Sequence, residues 1–331
     1  MKKIFCTIIA VAMTISLAGC GTAPTQNSSD KLSIIGVNFP AYDFARQVAG
    51  DKAQISMLLP PASESHSYEP TPQDIIKIQE CDIFIYGGGE SDTWVSGVLE
   101  SIDTSAKSVI KMLDCVTPVE EEIVEGMQDE EEEGESAYVP VEDGIAATEE
   151  DEEEEPEYDE HVWTNPQNVQ LIARKIADEL RVRDSGNADT YQKNLSDFNA
   201  ELIKLDAEFE QVVASGKRKT IVFGDRFPFR YFADRYDLTY FAAFPGCSTE
   251  TEASAQTVSF LIDKVKAERI PVIFHIELSN KKMATAIAEQ TGAKVLELHA
   301  SHNVSKADFE SGKSYLDIMR TNISALKEAL N

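Results

Sequence analysis

Strand-like and helix-like patterns alternate along this chain in two runs, and one long amphipathic helix separates the runs. Between Tyr191 and Val212, apolar residues recur at alternating spacings of four and three, which places them on one face of a helix. Short apolar segments typical of strands lie at residues 33–38, 54–59, 82–86, 108–113, 220–223, 238–241, 272–276 and 294–298. Strands that alternate with helices predict parallel sheets covered by helices on both faces.

The length of the chain suits two such domains, with the boundary in the long helix. We therefore predict an α/β protein with an N-terminal lobe at residues 31–185, a rigid linking helix at 186–216 and a C-terminal lobe at 217–331. Parallel α/β sheets bind ligands outside the carboxyl ends of their strands. Loops from the two facing lobes should therefore meet across one cleft.

The first 20 residues have the pattern of a secretion signal, with Lys2 and Lys3 followed by an apolar run. The run ends in Leu-Ala-Gly-Cys, which is similar to a bacterial lipobox and would make Cys20 the lipid-modified start of the mature protein. An ordinary signal peptide with a chance cysteine is the alternative. Residues 21–30 are small and polar and read as a flexible tether, and no later apolar run is long enough to span a bilayer. We expect an extracytoplasmic protein held at the cell membrane by a lipid anchor.

Three cysteines follow Cys20, namely Cys81, Cys115 and Cys247. An oxidising compartment would permit one disulfide. Cys81 and Cys115 flank predicted strands that could be neighbours, so these two residues could be bridged or could both be free thiols.

Negative charge is concentrated in one segment. The chain has a formal net charge of −28, and residues 119–160 contain 22 Asp and Glu without any Lys, Arg or His, so the rest of the chain carries −6. Such a segment repels itself and has little apolar surface to bury, which predicts a disordered insert in the first lobe. It could be a solvated loop or a weak collector of cations.

Four of the five histidines lie in loop-like contexts. His66 and His299 follow predicted strands, His302 lies three residues after His299, and His161 precedes a predicted helix. Neutral imidazole is the commonest protein ligand for zinc and related ions. The pattern predicts a metal ion captured in the cleft, whereas His275 lies within a strand and is interpreted as structural.

Several segments carry a resemblance to a known family. They are HSYEPTPQD at 66–74, EHVWTNPQN at 160–168, YFADRY at 231–236, GAKVLEL at 292–298 and YLDIMRTN at 315–322. With them the chain resembles the metal-binding solute receptors of bacterial ABC transporters, the zinc and manganese uptake lipoproteins, over residues 31–330. The resemblance implies two α/β lobes bridged by a long helix with a buried ion between them. It also implies delivery of that ion to a membrane permease driven by a cytoplasmic ATPase.

The chain departs from the family pattern at two ligand positions. Spacing places Arg226 where the family has a His or Glu ligand, and a cation cannot ligate a cation. Asp225 could serve if the loop shifts by one residue, or it could be the ion-pair partner of Arg226. The family usually has an Asp in its last motif, where this chain has His299 and His302. The candidate ligands are therefore His66, His161, His299, His302 and Asp225.

This ligand set favours Zn²⁺ over Mn²⁺, because Mn²⁺ prefers more oxygen ligands. We predict an extracytoplasmic receptor that carries Zn²⁺, with Mn²⁺ as the second choice, to an ABC permease and its ATPase. We expect neither an enzyme nor a nucleic-acid partner. The alternatives are a cation-buffering or adhesion lipoprotein, and a zinc hydrolase with Glu64 or Glu277 as its general base. Glu277 could instead orient a ligand histidine.

Overall fold

The computed structural model describes residues 31–127, 157–248 and 253–331. The predicted signal peptide at 1–20, its Cys20 and the tether at 21–30 lie outside these residues. None of the helices within the described ranges is long and apolar enough to cross a membrane.

The first lobe contains one parallel sheet of four strands. Its elements are β1 (Leu32–Gly36), α1 (Phe39–Ala49), β2 (Ala53–Met57), α2 (Pro72–Glu80), β3 (Ile83–Tyr86), α3 (Trp94–Ser101), β4 (Ser108–Lys111) and α4 (Pro166–Arg183). The strand order is β2-β1-β3-β4, and every neighbouring pair is parallel. All four strands lie within or close to the segments predicted from apolar runs.

The second lobe repeats this arrangement after the long helix α5 (Ala188–Ser215). Its elements are β5 (Thr220–Phe223), α6 (Arg230–Tyr236), β6 (Thr239–Phe241), α7 (Ala255–Glu268), β7 (Val272–His275), α8 (Lys282–Thr291), β8 (Lys294–Glu297), α9 (Lys306–Glu310) and α10 (Tyr315–Ala329). The parallel strand order is β6-β5-β7-β8. The predicted fold class is confirmed: two parallel sheets are flanked by helices, with a long helix between the lobes.

Helix α5 is held by the apolar stripe that the sequence indicates. The stripe residues Tyr191, Leu195, Phe198, Leu202, Leu205, Phe209 and Val212 are all buried. They face α1 and α4 of the first lobe and α6 and α10 after it. One helix therefore contributes to the packing of both lobes, which is what makes it a stiff connection.

The acidic segment is ordered at both of its ends, which corrects the prediction of disorder from 119 to 160. Glu120 pairs with Tyr158 in an antiparallel bridge, and the Asp159 amide donates to the Val119 carbonyl at 3.0 Å. Val119, Val124 and Met127 pack against the main core. Charge density predicted disorder, but these apolar residues and the backbone pairing hold the ends in place. Residues 128–156 lie outside the described residues.

Cys81 and Cys115 are free thiols rather than a bridged pair. The Cys81 thiol donates to the Ile78 carbonyl at 3.2 Å, and the Cys115 thiol to the Lys111 carbonyl at 3.5 Å. Each sulfur therefore contacts a carbonyl of the helix or strand that precedes it in sequence.

Two adjacent residues of α5 test the role of its stripe. Leu202 is fully buried, whereas Ile203 is 58% exposed. Leu202→Ala should lower the free energy of unfolding by about 2–5 kcal/mol because it leaves a cavity. Ile203→Ala, the matched control, should change it by less than about 0.5 kcal/mol. Urea unfolding of the metal-free protein measures both, and equal losses would contradict the packing described here.

Candidate metal centre

Three histidines and one glutamate converge between the lobes. His66, Glu160, His161 and His302 each offer one ligand atom, and these atoms lie within 4.8 Å of one another. The ring centroids of His302 are 5.3 Å from His66 and 5.2 Å from His161. The three histidines and the glutamate are named below as the four-residue cluster. It is a group of side chains that could hold one metal ion.

Three loops at the carboxyl ends of strands or the start of a helix supply the cluster. His66 lies between β2 and α2, and His302 follows β8. Glu160 and His161 precede α4, whose start is fixed by Asn165 as the N-cap, with Pro166 as its first residue. The sequence signals that predicted this helix start thus also place a candidate ligand. The first lobe supplies three members of the cluster, and the second lobe supplies His302.

His161 is oriented for metal binding by a neighbouring carboxylate. Its backbone amide and its Nδ1 both lie near Asp159 Oδ1, at 2.7 and 3.1 Å. A proton on Nδ1 leaves Nε2 as the nitrogen with the lone pair. His161 is fully buried, and within the described residues its Nε2 has no hydrogen-bond partner. A buried nitrogen acceptor without a partner is costly, and a bound ion would remove that cost.

The other two histidines contact serine hydroxyls of the first lobe. His66 Nδ1 lies 2.7 Å from Ser91 Oγ, and His302 Nδ1 lies 3.3 Å from Ser65 Oγ. Contacts to one ring nitrogen fix the ring and leave the other nitrogen for a ligand.

Glu160 was not among the residues predicted to bind metal. Its side chain is buried and accepts from the Ser91 hydroxyl at 2.6 Å and from the Ser91 amide at 3.0 Å. One carboxylate oxygen lies 3.7 Å from His302 Nε2. Burial raises the pKa of the Glu160 carboxyl above its ordinary value, although nearby His161 and Ser91 act to lower it. The sequence offered one signal: Glu160 directly precedes His161 in the matched motif.

The cluster keeps two of its imidazoles neutral. Burial, with the positive charges of His161 and Arg226, lowers the pKa of His66 to about 3. Burial and the same neighbours hold the pKa of His302 well below the ordinary histidine value. Metal ligands must be unprotonated, so these two residues are ready to bind at neutral pH.

The pKa of the third histidine, His161, changes in the opposite direction. Burial alone would lower the pKa of His161, but the carboxylates of Asp159, Glu160 and Glu121 raise it above the ordinary value. These carboxylates favour a positive charge at this position, and a bound cation would supply one.

The structure does not bring His299 into the cluster. The His299 Nδ1 accepts from the Ser301 amide at 3.0 Å, and its own amide donates to Asn322 Oδ1 at 2.9 Å. Ser301, between the two histidines, has a left-handed φ of 64°. Their spacing of three residues gave no information about that backbone conformation, and only His302 joins the cluster.

Asp225 also lies outside the cluster. It accepts from the amide of Arg226 at 2.9 Å and from that of Ile276 at 3.4 Å. The Arg226 guanidinium does not pair with it. Instead it donates to both oxygens of Glu64, at 3.4 and 3.2 Å, and to the Ser248 carbonyl. Arg226 therefore forms an ion pair across the cleft instead of contributing a ligand.

His275 lies in strand β7, and the sequence analysis interpreted it as a structural residue for that reason. It is buried at the end of β7, and its Nδ1 donates to the Ile276 carbonyl at 2.7 Å. Its ring is a structural group outside the cluster.

Comparison with known sequences identifies relatives along the whole chain. Residues 36–329 match the family model of the periplasmic zinc-uptake complex component A, ZnuA. The chain is 30% identical to the high-affinity zinc uptake system protein ZnuA of Bacillus subtilis (strain 168), over 99% of this chain and 98% of that protein. It is 28% identical to the zinc-binding lipoprotein AdcA of Streptococcus pneumoniae (strain ATCC BAA-255 / R6), over 99% of this chain and 61% of that protein. It is 26% identical to the manganese ABC transporter substrate-binding lipoprotein PsaA of Streptococcus pneumoniae, over 100% of both chains.

Solved structures share the fold. The Zn(II)-bound ZnuA-like domain of Streptococcus pneumoniae AdcA has a TM-score of 0.71 and 26% identity, covering 91% of this chain and 99% of that chain. The metal-dependent lipoprotein YcdH from Bacillus subtilis has a TM-score of 0.73 and 26% identity, covering 91% of this chain and 100% of that chain. The likeness extends over most of the chain.

The depressed pKa of His66 should make the metal-free protein less stable in acid. Unfolded histidine takes up a proton near pH 6.5, whereas folded His66 does so only near about 3. Its contribution to stability is complete above about pH 6.5 and is lost as the pH falls from there towards about 3. Urea unfolding at pH 7 and pH 5 in the presence of a chelator should therefore show a smaller loss for His66→Gln than for the natural chain. The pKa of His161 is raised, so His161 affects the pH dependence of stability in the opposite direction, but it is present in both proteins. An equal loss of unfolding free energy in the two proteins would contradict the lowered pKa of His66.

Proposed function

Because the chain belongs to the ZnuA family of zinc-uptake components, we propose that it is an extracytoplasmic receptor which captures Zn²⁺ and delivers it to an ABC importer. The observation that carries this proposal is the four-residue cluster. Three of its members are buried, and His161 Nε2 has no hydrogen-bond partner among the described residues. The metal ion is the transported substrate of this receptor.

We propose that His66, Glu160, His161 and His302 are the ligands. Four ligands of nitrogen and oxygen suit the tetrahedral preference of Zn²⁺. This set replaces the predicted His299 and Asp225 with Glu160. Asp159 is not one of the proposed ligands, but it contacts His161 Nδ1 and so favours the tautomer whose Nε2 can bind the ion.

The donor set favours Zn²⁺ over Mn²⁺. Three imidazoles and one carboxylate provide mainly nitrogen, whereas Mn²⁺ is suited by carboxylate, carbonyl and water oxygen. The relative named as a manganese transporter protein supports Mn²⁺ as the second candidate.

The ion would join the two lobes. The first lobe supplies three ligands, and His302 comes from the second, so a bound ion ties the loop after β8 to the loops of the first lobe. The Glu64–Arg226 pair and the Asn303 carboxamide, which donates to the Pro60 and Ser63 carbonyls, make further links across the cleft. These contacts would close the cleft over the ion.

A membrane permease and its cytoplasmic ATPase are the proposed partners, in keeping with the transporter relatives. We also propose attachment to the cell membrane through a lipid on Cys20, which the lipobox-like segment and the lipoprotein names of relatives support. That residue lies outside the described ranges.

The family is one of transport receptors and not of enzymes, and we propose that this chain has no hydrolase activity. A zinc hydrolase needs an open coordination position and a general base directed at it. The two acidic candidates have other partners, because Glu64 pairs with Arg226 and Glu277 accepts from two backbone amides. The adhesion alternative depended on the acidic segment and has no support from the cluster.

Zinc should stabilise the folded protein, because an ion held between lobes binds the folded state and not the unfolded one. At free zinc about 100-fold above the dissociation constant, the gain is about 2.7 kcal/mol. The melting temperature should rise with one equivalent of Zn²⁺, rise less with Mn²⁺ and fall when a chelator is added. Scanning calorimetry measures all three, and an unchanged melting temperature at saturating zinc would contradict the receptor assignment.

Single substitutions should separate the ligands from their neighbours. His66→Ala, His161→Ala, His302→Ala and Glu160→Gln should each weaken zinc binding by more than the ~10–100-fold typical of a lost supporting contact, since each removes one of four ligands. Titration against a competing chelator measures the affinities.

His299→Ala is the comparison on the same loop as His302, because His299 is not among the candidate ligands and its Nδ1 accepts the Ser301 amide. His299→Ala should weaken zinc binding less than His302→Ala, because it removes an acceptor of the loop backbone and not a proposed ligand. His275→Ala, whose ring contacts the Ile276 carbonyl instead, should leave zinc affinity unchanged. If His299→Ala abolished binding while His302→Ala did not, the proposed ligand set would be refuted.

A further inference from the structure

Glu277 holds the loop that carries His302. It follows β7 and is only 8% exposed. Its two carboxylate oxygens each accept one backbone N–H of the loop, from Ala300 at 2.6 Å and from His302 at 2.8 Å. A buried carboxylate therefore binds the main chain of a candidate ligand at the ligand residue itself.

The loop depends on such side-chain contacts because it belongs to no helix or strand. Residues 298–303 follow β8 without regular structure, and Ser301 has a left-handed φ of 64°. Buried backbone amides in such a segment must find partners elsewhere. Asn322 of α10 serves His299 by accepting from its amide and donating to its carbonyl, both at 2.9 Å. Glu277 accepts from the amides of Ala300 and His302, which follow His299 in the loop.

We propose that Glu277 is the positioning residue for His302 in metal binding, an inference that rests on the proposed zinc-receptor function. It fixes the amide of His302 on the second lobe, so that the imidazole is already in place when the cleft closes on an ion. Glu277 lies outside the group of potential ligands found in the described residues, and both of its oxygens are occupied by amides. It therefore acts through His302 and not on the ion.

Neighbouring His299 does not account for the position of Glu277. His299 Nδ1 lies 3.4 Å from the carboxylate but already accepts from the Ser301 amide. An unprotonated nitrogen next to a carboxylate oxygen provides no hydrogen bond.

The chemistry requires a carboxylate at this position. Two N–H donors converge on two acceptor oxygens, and a glutamine has one oxygen and one NH₂ group. Glu277→Gln keeps the shape of the side chain but places a donor against one backbone donor. One amide of the loop is then left unsatisfied, and the loop should shift or become mobile. We expect zinc affinity to fall by about 10–100-fold, the usual effect of losing a group that orients a metal ligand.

The test compares zinc affinities by chelator competition for the natural chain, Glu277→Gln and Asp43→Asn. Asp43 is the matched control, a fully buried carboxylate that accepts the Tyr315 amide at 2.8 Å and so holds the start of α10. The effect of Glu277→Gln is then measured again in a protein that already carries His302→Ala. Binding there is followed with Co²⁺ by its visible absorption, because the remaining ligands should bind more weakly.

The expected result is a loss for Glu277→Gln, no comparable loss for Asp43→Asn, and no further loss when Glu277→Gln is added to His302→Ala. Unchanged affinity of Glu277→Gln, an equal loss in Asp43→Asn, or the same loss with and without His302 would each overturn the proposal. If Glu277→Gln does not fold, Glu277→Asp replaces it in every comparison, with the same criteria. A natural chain that fails to bind zinc would refute the receptor function itself, which keeps the two failures distinct.

Discussion

The metal centre depends on gathering three imidazoles and a carboxylate at one point between two lobes, with His66 half-buried. His161, His302 and Glu160 are almost fully buried there. Buried polar atoms without partners cost free energy, and so does a buried charge without a counter-charge. A divalent cation offsets both costs, because it accepts the nitrogen lone pairs and neutralises the carboxylate. The carboxylates of Asp159, Glu160 and Glu121 raise the pKa of His161, so the surroundings of this ring favour a positive charge.

The loops around the cluster are connected across the cleft by hydrogen bonds to main-chain carbonyls. The Trp163 indole donates to the Ala300 carbonyl at 2.8 Å, and the Ala62 amide donates to the Val304 carbonyl at 2.8 Å. These bonds flank His161, His66 and His302 in sequence. His66, His161 and His302 thus each lie within four residues of a hydrogen bond that joins the two lobes. We therefore expect ion binding to be coupled to contacts between the lobes.

Much of the fold was predictable from sequence because its signals are local. Apolar runs gave the strands, the stripe from Tyr191 to Val212 gave α5, and Asn165-Pro166 gave the start of α4. His66 and His161 were predicted as ligands from their motifs. The rule that ligands lie at the carboxyl ends of parallel strands applied to His66, whereas His161 was placed before a predicted helix. The prediction of a buried site between lobes needed no more than this.

The remaining features depend on tertiary structure. Glu160 is one of 22 acidic residues in its segment, and only the fold distinguishes it from the others. The choice between His299 and His302 depends on the loop conformation around Ser301, whose left-handed φ no spacing rule predicts. Arg226 could be excluded as a ligand from its charge, but its partner Glu64 comes from the other lobe and is remote in sequence.

X-ray absorption at the zinc edge of the protein loaded with one equivalent of Zn²⁺ tests the central claim most directly. Four nitrogen or oxygen ligands at about 2.0–2.2 Å are expected, with the outer-shell scattering of three imidazoles. A shell of oxygen ligands without imidazole scattering would place the ion on the acidic segment instead. That result would contradict the assignment of His66, His161, His302 and Glu160 as the site.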